Sequence, residues 1–374
     1  MSSQDISVGI VGGGRVGLSF IRFLQKQRGV RVTGVVTRSE KRQKELAETY
    51  NIAACSSVTE MMNSQDKPQV VCVVNANEDH APATIEALEG GAHVYLEKPM
   101  APTLAECEQI VEAEKRSGKT LQVGFEYIHG TMTSRLRQLV GEGYFGDVVW
   151  ASVLDSRGHW WSIDPQADAS ELWKLDRSRG GGIIFHCGIH QLDLIRHYLG
   201  PIEQVTAYTP PVNPLPYYPK DVPANVTLMI TAQSGAVCNF QVFHDRAPCY
   251  YRLTQGWNPD WRQVPGHEFG ISLVGTAASC KMEIYGEKLH LFRFDHEQKD
   301  TIFERTETFS PNPPDLSHHD MNGLLLRFLR NVAAGAGAID PASDALETMR
   351  LAFAAEKAID QPGQAVRIAD FRNA

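Results

Sequence analysis

The sequence predicts an α/β protein in which a parallel-sheet domain precedes an α+β domain with a large, open-faced, mostly antiparallel sheet. Strand and helix patterns alternate from Ile6 to about Gly124, as successive βαβ units require. After that point strand patterns dominate. We therefore expect residues 1–124 to form the first domain and residues 125–374 the second.

Composition favours a soluble protein that acts on a small molecule. The chain has 374 residues, of which 43% are hydrophobic and 21% charged, a normal balance for globular proteins. The net charge of −8 predicts no nucleic-acid or anionic-membrane partner. Seven cysteines, an odd number without regular spacing, favour reduced thiols and a cytoplasmic location. The first strand starts near Ile6, which leaves no room for a signal peptide, and no run of about 18 apolar residues predicts a membrane span.

A glycine-rich loop joins the first predicted strand to the first helix. The strand covers residues 6–11, the helix residues 18–27, and a second strand residues 30–36. This context makes the G-x-G-x-x-G pattern at Gly12 to Gly17 a predictor of a dinucleotide site in a Rossmann domain. The helix N-terminus would supply N–H donors to the phosphates. We expect the cofactor to contact Gly12, Gly14, Arg15, Val16 and Gly17.

The residues after the second strand favour NADP over NAD. An acid usually binds the ribose 2′-hydroxyl of NAD at this point, but this chain has Thr37, Arg38 and Ser39. Arg38 and Arg42 lie one helical turn apart and are predicted to hold a 2′-phosphate, with Thr37 adding a hydroxyl donor. The alternative is that both arginines belong to a solvated helix start, in which case NAD remains the cofactor.

Further candidates follow the next two parallel strands, because ligands bind at the carboxyl edge of such sheets. The run at residues 69–74 ends in a segment that contributes Asn75, Asn77 and His80. The strand ending at residue 96 is followed by Glu97, Lys98 and Pro99. Lys98 is well placed for catalysis, and Pro99 is expected to set its turn through a cis peptide.

The second half contains seven predicted strands and one histidine-rich helix. The strands cover residues 148–154, 202–208, 224–231, 236–243, 268–274, 279–284 and 288–294. Three glycines, Gly180 to Gly182, predict a loop or a close approach of the backbone. An α-helix running to about Tyr198 would place His186, His190, Asp193 and His197 on one face. His318 and His319, before closing helices at residues 320–334 and 341–359, are expected to be solvated.

Several of these motifs occur together, in order, across nearly the whole chain. They are Gly12-x-Gly14-x-x-Gly17, Asn77-x-x-His80, Glu97-Lys98-Pro99, Gly124-Phe125 and Gly180-Gly181-Gly182 through Gly188-x-His190-x-x-Asp193. The chain thus resembles the glucose–fructose oxidoreductase and inositol dehydrogenase family, Gfo/Idh/MocA. The resemblance implies NAD(P)-dependent oxidation or reduction of a carbinol carbon in a sugar or polyol. It also implies a homo-oligomer, a dimer or tetramer, formed through the second domain's sheet.

The resemblance also assigns catalytic roles. It implies that Lys98 and His190 face the substrate, with His190 as the base, since the pKa of histidine suits that role. Lys98 would stabilise negative charge on the reacting oxygen. His186 stands where the family usually has aspartate and would take its orienting or relay role. As a neutral ring, His186 lacks the anion that would favour a protonated His190.

The remaining site candidates concern the substrate. Asp193 is expected to orient His190 or contact substrate, and Tyr127 to contact substrate or act in acid–base chemistry. The family's arginine after Gly-Phe is absent, since Glu126 and Tyr127 follow Phe125 here. His159, Trp160, Trp161 and Trp173 are candidates for stacking on a sugar face, although tryptophans also pack in cores.

Three other functions remain open. Histidines at i and i+4 can share a zinc ion, which would give a metal-dependent variant, although we expect no metal. Some relatives oxidise a glycoside transiently with tightly bound NAD, eliminate the aglycone and return the hydride. A non-catalytic sugar-sensing regulator on the same scaffold is the third alternative.

Overall fold

The computed structural model describes residues 5–158, 173–210, 221–247, 268–310 and 318–372. The chain forms two compact units. The first combines Met1–Phe125 with Met321–Met349, and the second combines Glu126–Asp320 with Arg350–Ala374. The sequence predicts a single domain boundary after Gly124. It does not predict that Met321–Met349 return to the first unit.

The first unit contains a six-stranded parallel sheet with the order β3-β2-β1-β4-β5-β6. Its strands are β1 (Ile6–Val11), β2 (Val30–Val36), β3 (Ala53–Cys55), β4 (Val70–Val73), β5 (His93–Leu96) and β6 (Leu121–Val123). All five strand pairs are parallel. The strand order reverses between β1 and β4, and open α/β sheets bind ligands at such a switch point. The expected Rossmann sheet is confirmed.

Helices connect these strands. They are α1 (Arg15–Leu24), α2 (Glu40–Tyr50), α3 (Val58–Met62), α4 (His80–Glu89) and α5 (Leu104–Ser117). The side chain of Thr103 accepts a hydrogen bond from Glu106 N at the start of α5, and Gly118 ends that helix in the left-handed conformation. These are ordinary helix start and stop signals, so local sequence sets the helix boundaries.

Residues 321–349 join the first unit because their first helix is amphipathic. Helix α8 (Met321–Ala333) buries an apolar stripe in the same core cluster as Ile10 and Tyr95. The ring of Phe328 lies 6.2 Å from that of Tyr95. A stripe of this kind is stable only when another element covers it, and the parallel sheet provides that cover. The predicted closing helices are therefore present, but the first of them belongs to the Rossmann unit.

The second unit contains a nine-stranded sheet with the order β14-β13-β12-β11-β7-β10-β9-β8-β15. Its strands are β7 (Val148–Gly158), β8 (Ile202–Tyr208), β9 (Asn225–Ala232), β10 (Val237–Ala247), β11 (Glu268–Gly275), β12 (Ala278–Glu283), β13 (Lys288–Asp295), β14 (Asp300–Thr308) and β15 (Ala365–Arg367). Seven pairs are antiparallel, and β7 and β10 form a parallel pair. The expected mostly antiparallel sheet is confirmed, but the edge strands β14 and β15 were not predicted.

Helices α6 (Thr131–Gly141) and α7 (Ile189–Leu199) belong to the second unit, and α9 (Ala342–Ile359) ends in it. The hydroxyl of Tyr198 in α7 donates to the carbonyl of Thr133 in α6 at 3.2 Å. Along β9, buried residues alternate with half-buried ones, as expected for a sheet with one covered face. Within the described ranges, no helix has the length and apolar character needed to span a membrane.

Candidate active site

The glycine loop of the first unit has the shape that a dinucleotide phosphate requires. A side chain at Gly12, whose φ is +121°, would lie 2.7 Å from the carbonyl oxygen of Val74, and one at Gly17 would overlap the carbonyl of Gly12. At Gly14, by contrast, nothing lies within 4 Å of the place where a side chain would begin. Gly12 and Gly17 therefore permit close packing of the backbone around the loop, and Gly14 leaves open space beside the N-terminus of α1. These residues fit a bound pyrophosphate.

The two candidate arginines after β2 have different surroundings. Arg42 donates to the carbonyl of Gly13 at 3.2 Å and to Glu45 at 2.6 Å. Arg38 has an 87% exposed side chain, 3.6 Å from Asp79. Arg42 therefore supports the glycine loop, while Arg38 has the exposure needed to bind an added phosphate. Thr37 follows β2 directly, as expected.

The candidates after β4 form a connected turn. Asn75 donates to the carbonyl of Asp79 at 3.4 Å, and Asn77 is buried. His80, fully buried at the start of α4, has its Nδ1 2.8 Å from the carbonyl oxygen of Pro99. Burial lowers the pKa of His80, so the neutral ring donates this hydrogen bond. His80 thus links the β4 turn to the turn that follows β5.

Glu97 and Lys98 follow β5, and the Lys98–Pro99 peptide is cis, as expected. The Oε2 atom of Glu97 is buried. Burial raises the pKa of Glu97 to about 7, although the positive charge of Lys98 opposes part of this rise. A side chain at Gly124 would lie 3.1 Å from Glu97 Oε2, which explains why glycine occupies that position. Glu97, whose pKa lies near neutral pH, is therefore the direct neighbour of Lys98, the proposed catalytic lysine.

In the second unit, His190 is buried against an aromatic ring and a carboxylate. Its ring stacks on Tyr127 with 4.1 Å between centroids and 12° between planes. Its Nδ1 lies 3.8 Å from Oε2 of Glu126. His186 stands in place of the family's anionic aspartate, but Glu126 brings a carboxylate near His190 from another part of the chain.

The triple glycine forms the predicted close approach. A side chain at Gly181 would lie 2.6 Å from the carbonyl oxygen of Lys174. Arg177, just before the glycines, donates to Glu356 at 2.6 Å and to Asp360 at 2.7 Å. Burial raises the pKa of Glu356 to about 7 even beside this arginine. This ion-pair cluster ties the loop to the end of α9.

The sequence predicts that one α-helix places His186 and His190 on a single face. This prediction is wrong for the first turn of that helix. Residues Ile184–Gly188 form a π-helical turn, and α7 begins after it. A π turn adds a residue to the helical repeat, so His186 and His190 are not related by α-helical spacing. His186 packs edge-on against Trp173, with 5.8 Å between centroids.

The alternative in which His186 and His190 share a zinc ion finds no ligand cluster around these two histidines in the part of the chain that the structure describes. Among the described residues, neither His186 nor His190 belongs to a group of three or more His, Cys, Asp or Glu side chains with ligand atoms within 4.8 Å of one another. Asp193 is buried, with Oδ1 3.8 Å from Arg196 and 3.7 Å from His197. The structure thus gives the histidines of this segment separate partners.

The expectation that His318 and His319 are solvated is wrong for His318, which is 3% exposed. Tyr127 brings both rings into the cluster around His190. Its centroid lies 5.0 Å from that of His318 and 5.3 Å from that of His319. Nδ1 of His319 also lies 3.4 Å from Oε1 of Glu126. Sequence reasoning therefore missed two site residues, Glu126 and His319.

The sequence held one signal for the missed residues. The family usually has an arginine after Gly-Phe, whereas Glu126 and Tyr127 follow Phe125 in this chain. This departure from the family pattern was the signal for Glu126. For His319 the doublet with His318 was the only signal. The predicted stacking residues His159, Trp160 and Trp161 lie outside the described residues, and Trp173 contacts His186.

Family models match both parts of the chain. Residues 6–125 match the oxidoreductase family with an NAD-binding Rossmann fold, and residues 133–290 match the Gfo/Idh/MocA C-terminal domain. The chain belongs to the Gfo/Idh/MocA family. The family resemblance of the motifs is thereby confirmed.

Two curated relatives come from Escherichia coli. A D-glucoside 3-dehydrogenase is 28% identical over 204 residues, covering 54% of this chain and 56% of the relative. A 2,7-anhydro-N-acetylneuraminate hydratase is 28% identical over 203 residues, covering 53% of this chain and 51% of the relative. The matched region spans about half the length of each relative.

A solved structure of similar fold covers nearly the whole chain. Levoglucosan dehydrogenase in complex with NADH and levoglucosan superposes with a TM-score of 0.75 and 19% identity, over 98% of this chain and 100% of that one. At this identity the similarity establishes the fold alone.

Proposed function

We propose that the protein transfers hydride between a nicotinamide dinucleotide and a carbinol or carbonyl carbon of a sugar, a polyol or a sugar derivative. The observation that carries this proposal is the position of Lys98. It follows β5 of the parallel sheet beside the acid Glu97, and the glycine loop follows β1 of the same sheet. Lys98 thus lies at the carboxyl edge of a sheet with a dinucleotide-binding loop, and ligands bind at that edge in such sheets.

The proposed roles follow from the chemistry of each side chain. A bound nicotinamide ring accepts or supplies the hydride. Lys98 donates a hydrogen bond to the reacting oxygen and stabilises the negative charge that develops there. His190 takes the hydroxyl proton during oxidation and returns it during reduction. Nδ1 of His190 faces Glu126, which leaves Nε2 for the substrate.

His186, Asp193, Tyr127 and Trp173 remain proposed pocket residues, together with His159 and Trp160. Their chemistry suits a polyhydroxylated substrate, because carboxylate and imidazole groups accept hydroxyl hydrogen bonds and aromatic faces pack on sugar rings. A D-glucoside 3-dehydrogenase among the relatives supports the same substrate class.

We propose NADP as the preferred cofactor, with NAD as the alternative. No acid follows β2 to bind a ribose 2′-hydroxyl, and the exposed Arg38 follows Thr37 at that point. A hydrogen bond to a charged group contributes about 1.5–3 kcal/mol. One such bond to the 2′-phosphate is enough for a roughly tenfold to hundredfold preference for NADP over NAD.

A redox-neutral reaction is the second candidate, and one relative supports it. A hydratase adds or removes water with no net oxidation, and a hydratase is among the matched relatives. In this case the protein would oxidise a glycoside transiently, release the leaving group and reduce the product again. Cofactor would then co-purify and show no net consumption.

One screen separates the two candidates. Purified protein is incubated with sugars, polyols, their keto forms and glycosides, each with NADP(H) and NAD(H), and nicotinamide absorbance is followed. The first function predicts stoichiometric change in absorbance with at least one sugar or polyol. Release of an aglycone without net absorbance change would support the second.

We further propose that the protein is a cytoplasmic homo-oligomer, a dimer or tetramer, that associates through its nine-stranded sheet. Large apolar side chains on β7 and β14 are partly exposed, including Trp150 (40%) and Phe303 (56%). Exposed apolar groups of this size often mark an interaction surface. Light scattering should show a single oligomer, and Trp150→Glu should weaken it.

A further inference from the structure

His80 is the first residue of α4, and its side chain is fully buried. Its place in the turn after β4 makes it a sequence candidate for contact with a cofactor, but a ring with no exposed surface has none to offer to a bound ligand. The structure gives the ring another partner, because its Nδ1 atom lies 2.8 Å from the carbonyl oxygen of Pro99. His80 therefore contacts the backbone of the turn that carries Lys98.

This hydrogen bond has only one possible direction. A carbonyl oxygen can only accept, so Nδ1 of His80 carries the proton that is donated. Burial lowers the pKa of His80, although the hydrogen bond to Pro99 opposes part of this fall. The ring is therefore neutral at neutral pH, with its proton on Nδ1.

Two backbone anchors enclose Lys98. On one side, the N–H group of Glu97 donates to the carbonyl oxygen of Val73 at 2.9 Å. On the other side, the carbonyl oxygen of Pro99 accepts from His80. Val73 ends β4 and His80 begins α4. Both anchors therefore come from the two ends of one connection, the β4–α4 turn.

The β4–α4 turn has hydrogen bonds of its own. The side chain of Asn75 donates to the carbonyl oxygen of Asp79 at 3.4 Å, and the N–H group of Asp79 donates to that of Ala76 at 2.8 Å. Asn75 and Asn77 are the proposed cofactor contacts in this turn. The segment that would contact the dinucleotide and the turn that carries the proposed catalytic lysine are thus joined through His80.

We propose that His80 is a positioning residue that holds Lys98 where it meets the reacting oxygen. The proposal rests on the proposed function, since it takes Lys98 as the catalytic lysine. Pro99 is buried, and a buried carbonyl group without a donor is unfavourable. Without the donor of His80, the turn would move toward another partner and displace Lys98. Small displacements of a catalytic group remove much of its effect on the rate.

Two substitutions of His80 separate the hydrogen bond from simple packing. His80→Asn keeps an N–H donor near the position of Nδ1, whereas His80→Leu removes every side-chain donor. We expect kcat of His80→Leu to fall about tenfold to hundredfold, with the Kd for dinucleotide within about threefold of wild type. In His80→Asn we expect kcat within about threefold of wild type. A wild-type kcat in His80→Leu, or an equal loss in both variants, would overturn the proposal.

His93 provides a matched control at the opposite end of β5. Its Nδ1 atom accepts a hydrogen bond from the backbone N–H group of Thr120 at 3.1 Å. His93→Leu thus also removes an imidazole–backbone hydrogen bond beside β5, but at the amino end of the strand, whereas Lys98 follows the carboxyl end. We expect wild-type kcat in this variant. The same loss in His93→Leu as in His80→Leu would show a general effect of packing and count against positioning.

Lys98→Met supplies a background in which His80 has nothing left to position. We expect His80→Leu to lower kcat of Lys98→Met by less than about twofold, because the two residues act as a unit. A packing defect would lower kcat by the same factor in both backgrounds, since independent effects add in free energy. Equal factors would therefore refute the positioning role.

A measurement without cofactor or substrate tests the hydrogen bond itself. Nitrogen-15 NMR shows which ring nitrogen carries the proton, and the His80 signal is assigned by its loss in His80→Asn. We expect the proton on Nδ1 from about pH 7 to about pH 9, because burial keeps the ring neutral. A proton on Nε2, or a ring that titrates within this range, would contradict the contact with Pro99.

Failure of the positioning role is distinguishable from failure of the proposed function. If wild-type protein oxidises or reduces no substrate in the screen, the hydride-transfer function fails, whatever the NMR spectrum shows. If the wild type turns over and His80→Leu keeps its kcat, only the positioning role is refuted. If His80→Leu does not fold, His80→Gln replaces it with the same expected outcomes, because its amide lies one bond farther from the backbone than that of asparagine.

Discussion

The ring of Tyr127 stacks on that of His190, with 4.1 Å between centroids and 12° between planes. Tyr127 is buried among His190, His318, His319 and Phe269. Its ring therefore holds the proposed base in position.

Substitution of Tyr127 separates this packing role from a role of its hydroxyl. We expect Tyr127→Phe to retain kcat within about threefold, because the stacked ring remains. Tyr127→Ala should lower kcat and cost about 3–5 kcal/mol of unfolding free energy. Steady-state kinetics and denaturant unfolding provide the measurements. An equal loss of kcat in both variants would instead assign acid–base or substrate contact to the hydroxyl.

Two glycines of the first loop should respond differently to alanine. Gly14 has φ −82° and open space where a side chain would begin, so Gly14→Ala should fold normally but bind dinucleotide at least about tenfold more weakly, since the methyl group occupies the phosphate position. Gly17→Ala places a methyl group against the carbonyl of Gly12 and should lower the Tm. Calorimetry and cofactor titration distinguish the two. Normal cofactor affinity in Gly14→Ala would contradict the phosphate site.

Arg38→Ala tests the cofactor preference. We expect the KM for NADPH to rise about tenfold to hundredfold, because a charged hydrogen bond of about 1.5–3 kcal/mol is lost. The KM for NADH should change little. Arg116→Ala, which removes an exposed arginine paired with Glu89, is the control. Equal effects of Arg38→Ala on both cofactors would favour NAD as the natural partner.

Lys98→Met should separate chemistry from cofactor binding. Loss of a donor to the reacting oxygen is expected to lower kcat about 10²–10³-fold. The Kd for dinucleotide, measured by fluorescence titration, should stay within about threefold. Lys115→Met removes an exposed lysine on α5 and serves as control. Normal turnover by Lys98→Met would show that Lys98 is not catalytic.

Glu97 should make stability depend on pH. Its folded pKa of about 7 exceeds the reference value of 4.5, so between these pH values the folded state binds more protons than the unfolded state. Stability should therefore fall as pH rises through this window. Glu97→Gln should remove that fall and gain up to about 3 kcal/mol at pH 8, from 1.36 kcal/mol per pKa unit.

Denaturant unfolding at several pH values measures this effect. Glu89→Gln is the control, because Glu89 has a 55% exposed side chain paired with Arg116, and it should keep the wild-type pH dependence. A Glu97→Gln protein with the wild-type slope would show that Glu97 is ionised throughout the window.

Most of the fold was predictable because its signals are local. Apolar runs with flanking turn residues predicted five of the nine strands in the second sheet to within about three residues, and β7 and β10 each extend four residues beyond their predicted ends, 154 and 243. The exposed edge strand β14 has few buried residues, and β15 has only three residues, so neither carries a strong periodic pattern. The π turn before α7 was missed because helical periodicity assumes a uniform repeat.

The sequence by itself determined the Rossmann motif and the strand-end positions of Lys98 and Glu97, and the family resemblance of its motifs implied His190 as the candidate base. These depend on residue type and spacing within short segments. Only the tertiary structure brought Glu126 and His319 beside His190 and packed α8 on the first sheet. Such contacts join distant parts of the chain, and the burial of many side chains together decides them.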